Sequence, residues 1–345
     1  PAPPPAPGAA PPPAPARPAP GRVAPPQGPG PSKGQAQAKA QARPQAGQPA
    51  PPPEPPPVEA KIWSLDNGRE RARLAGHGGE VVALDFSPDG KLLATTSRTG
   101  KVKLWDTATF KETVPLTGRE GGCDLVVFTP DGKTLVGASA VAGLVTLWDV
   151  ASGKARASFN HFGGMNMIVV SPDGKTLATG GSHVGGRSRT QQASSPGPGG
   201  DVRLWEVATG RRLAVLAVPS GKVTRLAFAP DGKILAAATE TTSIMLWDLA
   251  TASPRATMTW PSGPALYLAF APDGKTLAAG GADEVLRLWD TSSGALRATL
   301  RGHADAIDWV AFAPDGRTVL TASRDATVKL WDSPGRRAEA PERGP

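Results

Sequence analysis

Short apolar segments alternate with tight turns along residues 61–332. In one stretch the segment VVALDF (81–86) is followed by the turn SPDG and by KLLATTS (91–97), KVKLWD (101–106) and ETVPL (112–116). Apolar and polar positions alternate clearly in KVKLWD, as expected for a strand with two different faces. Strands of this length with turn signals every 8–12 residues, roughly, are typical of an all-β fold. Proline fixes φ, aspartate caps the turn and glycine accepts positive φ, so Pro-Asp-Gly favours a sharp reversal.

The same unit recurs along the chain. Six turns of the type Ser/Thr/Ala-Pro-Asp-Gly are separated by 42, 42, 58, 42 and 42 residues, and the long interval contains a 16-residue insertion. The turns lie at 87–90, 129–132, 171–174, 229–232, 271–274 and 313–316. A tryptophan marks a second point in each unit, at Trp105, Trp148, Trp205, Trp247, Trp289 and Trp331, with Trp63 a further 42 residues upstream of Trp105. A period of about 40–45 residues with four strands predicts one β-propeller blade per unit.

The units resemble WD40 repeats, which carry Gly-His near their start and Trp-Asp at the end of the third strand. Gly-His occurs at 76–77 and 302–303, and Trp-Asp at 105–106, 148–149, 247–248, 289–290 and 331–332. Trp205-Glu206 and Trp63-Ser64 depart from the pattern. The resemblance covers residues 61–332, and its regular SPDG-type turns are similar to bacterial members of the family. It implies a WD40-type propeller of six, possibly seven, four-stranded blades.

The blade count depends on how the ring closes. The sequence contains six complete sets of three inner strands but seven third strands, counting KIWSL (61–65). In the family, a strand from one terminus usually pairs with strands from the other. We therefore expect RARL (71–74) to supply the outer strand of the last blade, which gives six blades and leaves 61–65 as an extra edge segment.

The resemblance also implies a structural hydrogen-bonded tetrad within a blade. In the last unit its members are His303, Ser323, Asp325 and Trp331, and this family role is preferred over a Ser-His-Asp hydrolase. The first unit keeps His77, Ser97 and Trp105 but has Thr99 at the aspartate position. Asp201 and Asp283 are read as partial remnants of the tetrad in other units, and His161 and His183 as solvated loop residues.

Composition divides the chain. Residues 1–60 hold 23 of the 39 prolines and no aromatic residue, which predicts a disordered Pro/Ala/Gln-rich tail or linker. Residues 333–345 are expected to be a flexible end. The net charge of +8 falls mostly on the tail, the insertion and the end, so the propeller body is nearly neutral. A nucleic-acid footprint needs basic residues concentrated on a folded face, so we expect neither nucleic-acid binding nor membrane insertion, and a monomer.

Three features could bind a protein partner. The insertion loop 183–200 carries Arg187 and Arg189, which could contact an acidic partner. Arg225, Tyr267 and Trp309 each lie three residues before their unit's phenylalanine, so they share one register on innermost strands and could form a basic and aromatic arc. The alternatives are a tolerated insertion and packing between blades. The tail could bind aromatic grooves through polyproline II segments or act as a spacer.

No phosphate-binding loop, dinucleotide fingerprint, nucleophile elbow or metal-ligand pair is present in the sequence. We therefore expect no enzymatic activity, no catalytic residue, no metal and no cofactor. The favoured function is a non-catalytic protein–protein interaction scaffold that presents propeller loop surfaces to a partner. The alternative is a regulatory or sensor domain of a larger bacterial protein such as a kinase, of which this chain would be a fragment. The sequence does not assign a compartment.

Overall fold

A computed structural model describes residues 59–117, 122–161, 163–182, 200–241, 243–261 and 263–332. The predicted tail up to residue 58 and the predicted flexible end lie outside these ranges. The described residues form 24 strands in seven antiparallel sheets, and each sheet pairs its strands in chain order. The expected all-β fold is confirmed for this part of the chain.

The first two sheets of the chain are short. The N-terminal hairpin comprises β1 (Ala60–Trp63) and β2 (Glu70–Leu74), and sheet 1 comprises β3 (Val81–Phe86), β4 (Leu92–Ser97) and β5 (Val102–Asp106). Sheet 2 has four strands, β6 (Leu125–Phe128), β7 (Thr134–Ala138), β8 (Leu144–Asp149) and β9 (Ala155–Asn160).

The remaining sheets repeat this order. Sheet 3 consists of β10 (Gly164–Val170), β11 (Thr176–Ser182), β12 (Gly200–Glu206) and β13 (Arg212–Ala217). Sheet 4 consists of β14 (Val223–Phe228), β15 (Ile234–Thr239), β16 (Ser243–Asp248) and β17 (Ser253–Thr259). Sheet 5 consists of β18 (Ala265–Phe270), β19 (Thr276–Gly281), β20 (Val285–Asp290) and β21 (Leu296–Arg301). Sheet 6 consists of β22 (Ile307–Phe312), β23 (Thr318–Ser323) and β24 (Val328–Asp332).

Consecutive sheets pack face to face. The first strand of each of sheets 1 to 5 contacts the first strand of the next sheet, which agrees with strands arranged around a common axis. The apolar residues between two sheets form one cluster per interface. The second strands of sheets 1 to 5 are almost entirely buried, as Ala236, Ala237 and Ala238 of β15 illustrate, because each is covered on both faces. A single sheet cannot bury its own apolar faces, so the stack is the stable unit.

The interface between sheets 1 and 2 holds the single cysteine of the sequence. Cys123 is buried there with Ala94, Leu104, Phe128 and Trp148. Burial raises the pKa of its thiol to about 12, because the thiolate would lose its hydration. The side chain therefore packs as a small apolar residue at this interface.

The Pro-Asp-Gly turns touch one another along one end of the stack. Each turn glycine of sheets 2 to 6 has a φ near +70° and lies beside the turn proline of the preceding sheet. A side-chain carbon on Gly132, for example, would lie 3.6 Å from Cδ of Pro88, and one on Gly316 would lie 3.5 Å from Cδ of Pro272. At Gly90 of sheet 1 no such neighbour lies within 4 Å among the described residues. The contact is thus repeated between neighbouring sheets and ends at sheet 1.

The predicted pairing of RARL was wrong. Residues 71–74 belong to β2, which pairs with β1 and not with β24. Leu74 packs against Leu93 and Trp105 of sheet 1, as Leu300 of sheet 5 packs against Val319 and Trp331 of sheet 6. The N-terminal hairpin therefore corresponds to the third and fourth strands of a seventh sheet that precedes sheet 1. β2 pairs with β1 and not with β24 because β1 and β2 are close in sequence and share one apolar face.

Candidate functional site

A chain of polar contacts crosses sheet 6. Nε1 of Trp331 donates to Oγ1 of Thr321 (2.8 Å), which lies 2.7 Å from Nε2 of His303. Nδ1 of His303 lies 2.8 Å from Oδ2 of Asp325, which also accepts from the backbone N–H of Ala304 (2.9 Å). A neutral imidazole with its proton on Nδ1 satisfies every member of this chain. Hydrogen bonds from Thr327, from the Ala304 amide and from His303 outweigh desolvation and hold the pKa of Asp325 below its usual range.

The hydroxyl in this chain belongs to Thr321 and not to the predicted Ser323. Ser323 Oγ donates instead to the backbone oxygen of Asp305 (2.9 Å). Residues 321 and 323 share a face of β23, so the alternating pattern does not separate them. Trp331 pairs with Val319 across the two strands, and Thr321 lies two positions beyond Val319 on the same face of β23. The Thr321 hydroxyl is therefore within reach of the indole.

Sheet 1 shows the same arrangement in shortened form. Thr95 Oγ1 accepts from Nε1 of Trp105 (2.7 Å) and lies 2.6 Å from Nε2 of His77. The predicted Ser97 bonds to Thr99 (2.8 Å), whose hydroxyl reaches the backbone oxygen of His77 (3.1 Å). Threonine thus replaces aspartate with a neutral contact to the loop backbone, so His77 lacks the carboxylate that faces His303.

Sheet 3 contains a third chain of hydrogen-bonded side chains, formed by His161, Thr179 and Trp205, which the sequence analysis did not predict. His161 is fully buried, and its Nδ1 lies 2.8 Å from Oγ1 of Thr179, which also accepts from Nε1 of Trp205 (2.9 Å). The prediction that His161 is a solvated loop residue was wrong. Its spacing to Trp205 is 44 residues, against 28 between His303 and Trp331, and subtraction of the 16-residue insertion would have recovered the match.

The aspartates read as tetrad remnants each hold a buried arginine. Asp201 accepts from Arg203 (2.7 and 2.9 Å) and lies 3.3 Å from Nε2 of His161. Burial alone would raise the pKa of Asp201, but the contacts with His161 and Arg203 bring it below its ordinary value. Asp283 lies 2.7 Å from Arg287, whose guanidinium stacks over Trp260 at 4.4 Å.

The His303 chain has the connectivity of a hydrolase triad but not its access. Thr321 would be the nucleophile, yet its side chain is fully buried and its oxygen already accepts from Trp331. A substrate carbonyl needs to come within about 3–3.5 Å of the attacking oxygen. The geometry instead fits the structural role that the family resemblance implies, in which the chain ties the loop at His303 to β23 and β24.

We expect His77 to make folding stability depend on pH. Burial, followed by the nearby Lys103 charge, lowers the pKa of His77 in the folded protein. The pKa of a histidine in the unfolded chain is about 6.5, so the unfolded chain binds the proton first as the pH falls. The stabilisation is complete above about pH 6.5 and is lost below it, as the pH approaches the folded pKa.

Urea unfolding midpoints at pH 7.5 and 6.0 test this expectation. The midpoint of the native protein should be lower at pH 6.0, and His77→Gln should reduce the difference between the two values. An unchanged difference in the variant would assign the pH dependence to other groups.

The structure brings two of the three arc residues together. The rings of Tyr267 and Trp309 lie 6.1 Å apart at a tilt of 55°, and Trp309 is 41% exposed. Arg225 holds the same register position on β14 and donates to the backbone oxygen of Thr224 (2.7 Å). Each of the three residues follows a break in strand register, and such bulges redirect the side chain that follows.

The insertion lies between the second and third strands of sheet 3. β11 ends at Ser182 and β12 begins at Gly200, so the ends of the loop are adjacent in the sheet. Arg187, Arg189 and His183 lie outside the described residues.

In the part of the chain that the structure describes, no group of three or more His, Cys, Asp or Glu side chains is arranged to hold a metal ion. Within those same ranges, no helix has the length and apolar character needed to cross a membrane.

Parts of the sequence are similar to a known repeat family and to known proteins. The WD40 family model (WD domain, G-beta repeat) matches residues 68–106, 210–248, 253–290 and 294–332. Each matched segment begins at or next to the outer strand of one sheet and ends at the third strand of the next. Coronin-7 of Mus musculus is 44% identical over 45 residues, and Coronin-7 of Rattus norvegicus is 48% identical over 42 residues. These alignments cover 13% and 12% of this chain and 5% of each relative, so the match spans a small fraction of those proteins. Four segments of the chain are therefore similar to WD40 repeats, and all four lie within its array of antiparallel sheets.

Proposed function

We propose that this chain is a non-catalytic scaffold that binds a protein partner through the loop ends and innermost strands of a propeller. WD40 repeats generally mediate protein–protein interactions, and four segments here match that family. The observation that carries the proposal is the aromatic pair of Tyr267 and Trp309, with Arg225 in the same register on sheet 4. Tryptophan, tyrosine and arginine are the residues that most often dominate binding at protein interfaces.

The charge distribution favours a protein partner over a nucleic acid. Exposed ion pairs such as Arg98–Glu80 and Arg324–Asp308 balance basic residues on the described surface. A phosphate backbone is bound by basic residues that are free to contact it, so paired basic residues contribute less to such binding. We further propose that the chain is monomeric and that the insertion loop with Arg187 and Arg189 adds contacts to an acidic region of the partner.

The second candidate is a regulatory or sensor domain within a larger protein, such as a bacterial kinase. The similarity to Coronin-7 favours it in one respect, because the matched segment of 45 residues makes up only 5% of that protein. A propeller in that setting would bind a ligand or another domain of the same polypeptide. An upstream catalytic sequence in the intact gene would support this reading.

We expect Trp309→Ala to weaken partner binding by tenfold or more. A truncated central tryptophan typically costs about 2 kcal/mol or more at an interface. The full chain is immobilised, exposed to native lysate, and the captured proteins are quantified by mass spectrometry. Leu213→Ala is the matched control, because Leu213 on β13 is exposed to a similar extent but lies on an outer strand. Equal capture by all three proteins would contradict the arc as the binding surface.

A further inference from the structure

Arg225 on β14 is a partly buried cation without a carboxylate partner. Of the arginines in the described ranges, only Arg203, Arg225 and Arg287 are not exposed. Arg203 pairs with Asp201 and Arg287 pairs with Asp283, each at 2.7 Å. Within the same ranges, no aspartate or glutamate forms an ion pair with Arg225. Because Coulomb attraction strengthens as a pair is withdrawn from water, Arg225 is placed to gain more from a carboxylate than an exposed arginine would.

The guanidinium of Arg225 keeps most of its donors unused. Its hydrogen bond to the described part of the chain runs from Nη1 to the backbone oxygen of Thr224 (2.7 Å). A guanidinium carries several N–H donors in a planar fork that matches the two oxygens of a carboxylate. At the same end of sheet 4, the acidic residue Glu240 is already paired with Lys222 (3.9 Å). The site therefore has donors for a carboxylate that the described residues do not supply.

Arg225 is the single charged residue at its level on the innermost strands of sheets 1 to 6. This level is the position three residues before each sheet's phenylalanine, or before Val170 in sheet 3. Its occupants in sheets 1 to 6 are Ala83, Leu125, Met167, Arg225, Tyr267 and Trp309. No carboxylate at this level competes with a ligand for the guanidinium, and the two aromatic residues follow Arg225 on the next two sheets.

The aromatic pair on sheets 5 and 6 provides an apolar contact with an open side. The rings of Tyr267 and Trp309 lie 6.1 Å apart at a tilt of 55°, and Trp309 is 41% exposed. Asp308, which precedes Trp309, is paired with Arg324 (2.9 Å), so the charge beside the ring is balanced. An aromatic side chain of a ligand fits this surface, because offset and tilted rings attract one another.

We propose that Arg225 binds an aspartate or glutamate side chain of the partner, and that Tyr267 and Trp309 bind an aromatic side chain of the same extended segment. This inference rests on the proposed scaffold function and names the chemistry of the segment that is bound. Packed sheets lie about 10 Å apart and an extended chain rises about 3.3 Å per residue, so the acidic and aromatic residues are separated by about three positions.

The first test compares Arg225→Met with Arg287→Met. Removal of the Arg225 charge breaks no ion pair, so the melting temperature should rise or stay within about 2 °C of the native value. Arg287→Met leaves the mostly buried Asp283 without its partner and should lower the melting temperature by about 5 °C or more. Equal losses would show that the charge of Arg225 is balanced within the fold, which overturns the proposal.

Peptide selection then identifies the chemistry of the ligand. A displayed library of random peptides is selected on the immobilised full chain. Peptides that lose affinity with Trp309→Ala should be enriched in Asp or Glu about three positions from an aromatic residue. Arg225→Met should weaken synthetic copies of these peptides by about tenfold to hundredfold, the range for a hydrogen bond to a charged group. Equal affinity of these peptides for the native chain and Arg225→Met would overturn the carboxylate contact.

Charge reversal separates recognition from a general loss of binding. Selection on Arg225→Glu should replace Asp or Glu in these peptides with Lys or Arg at the same distance from the aromatic residue, because the site then repels a carboxylate. An unchanged preference for acidic residues would place the acidic contact elsewhere and overturn the assignment to Arg225.

A further variant tests whether glutamates of the chain itself occupy Arg225. Glu54, Glu120, Glu339 and Glu342 lie outside the described ranges, and all four are replaced by glutamine. Equal peptide affinity of this variant and the native chain supports a site that is open to a partner. An affinity about tenfold or more higher in the variant would show that one of these carboxylates competes for the guanidinium. That result overturns a partner's carboxylate as the occupant.

The outcomes separate this inference from the scaffold proposal. Peptides that depend on Trp309 but bind Arg225→Met as they bind the native chain support the arc as a binding surface and overturn the carboxylate contact. A selection that yields no peptide dependent on Trp309 contradicts both proposals.

Discussion

Replacing Asp201 with alanine should lower the free energy of unfolding by about 3–5 kcal/mol. Removing one member of a buried ion pair leaves the other member buried without that counter-charge. The carboxylate accepts two hydrogen bonds from the Arg203 guanidinium and faces Nε2 of His161, and all three side chains are buried in sheet 3. The cost therefore combines lost contacts with a guanidinium that keeps its burial but loses its carboxylate.

Urea unfolding, followed by tryptophan fluorescence and far-ultraviolet circular dichroism, measures this loss. Asp308→Ala is the control, because it removes an exposed carboxylate paired with Arg324 and should change stability by no more than about 1 kcal/mol. Similar losses for the two variants would show that burial does not determine the strength of these pairs.

Trp247→Ala should also destabilise the protein by about 3–5 kcal/mol, the range for a buried aromatic residue replaced by alanine. Trp247 is 1% exposed and packs with Ala178, Leu204 and Leu235 at the interface of sheets 3 and 4. The cavity left by the indole could not be refilled by the short side chains that surround it.

Trp63→Ala is a matched control, since Trp63 holds the same position in the repeat but is 55% exposed. We expect its effect to stay below about 1 kcal/mol. Equal effects of the two substitutions would mean that Trp63 is packed in solution and that the seventh sheet is already complete.

The strands and turns could be predicted because each repeat carries their signals in its own residues. The 42-residue period, the Pro-Asp-Gly turns and the terminal tryptophans give the six sheets in order. The placement of the insertion between β11 and β12 follows from the same period. The pairing of β2 could not be obtained in this way, because RARL has the alternation of any outer strand and its pattern does not identify its neighbour.

The polar chains show a second limit. The sequence pattern links His303, Asp325 and Trp331 but assigns the linking hydroxyl to Ser323, two residues beyond Thr321 on β23, and only distance separates these two hydroxyls. His161 was missed because the insertion changed its spacing to Trp205. Residues that meet across strands are governed by register, which a sequence pattern constrains only where one face is clearly apolar.

Cys123 offers a built-in reporter of motion in this stack. Its thiol is enclosed between sheets 1 and 2, and its pKa of about 12 leaves almost no reactive thiolate at neutral pH. A thiol-specific label should therefore react only during transient separation of those two sheets. The labelling rate then gives the free energy of that local opening. With no other cysteine in the sequence, the signal comes from this one interface without any engineering.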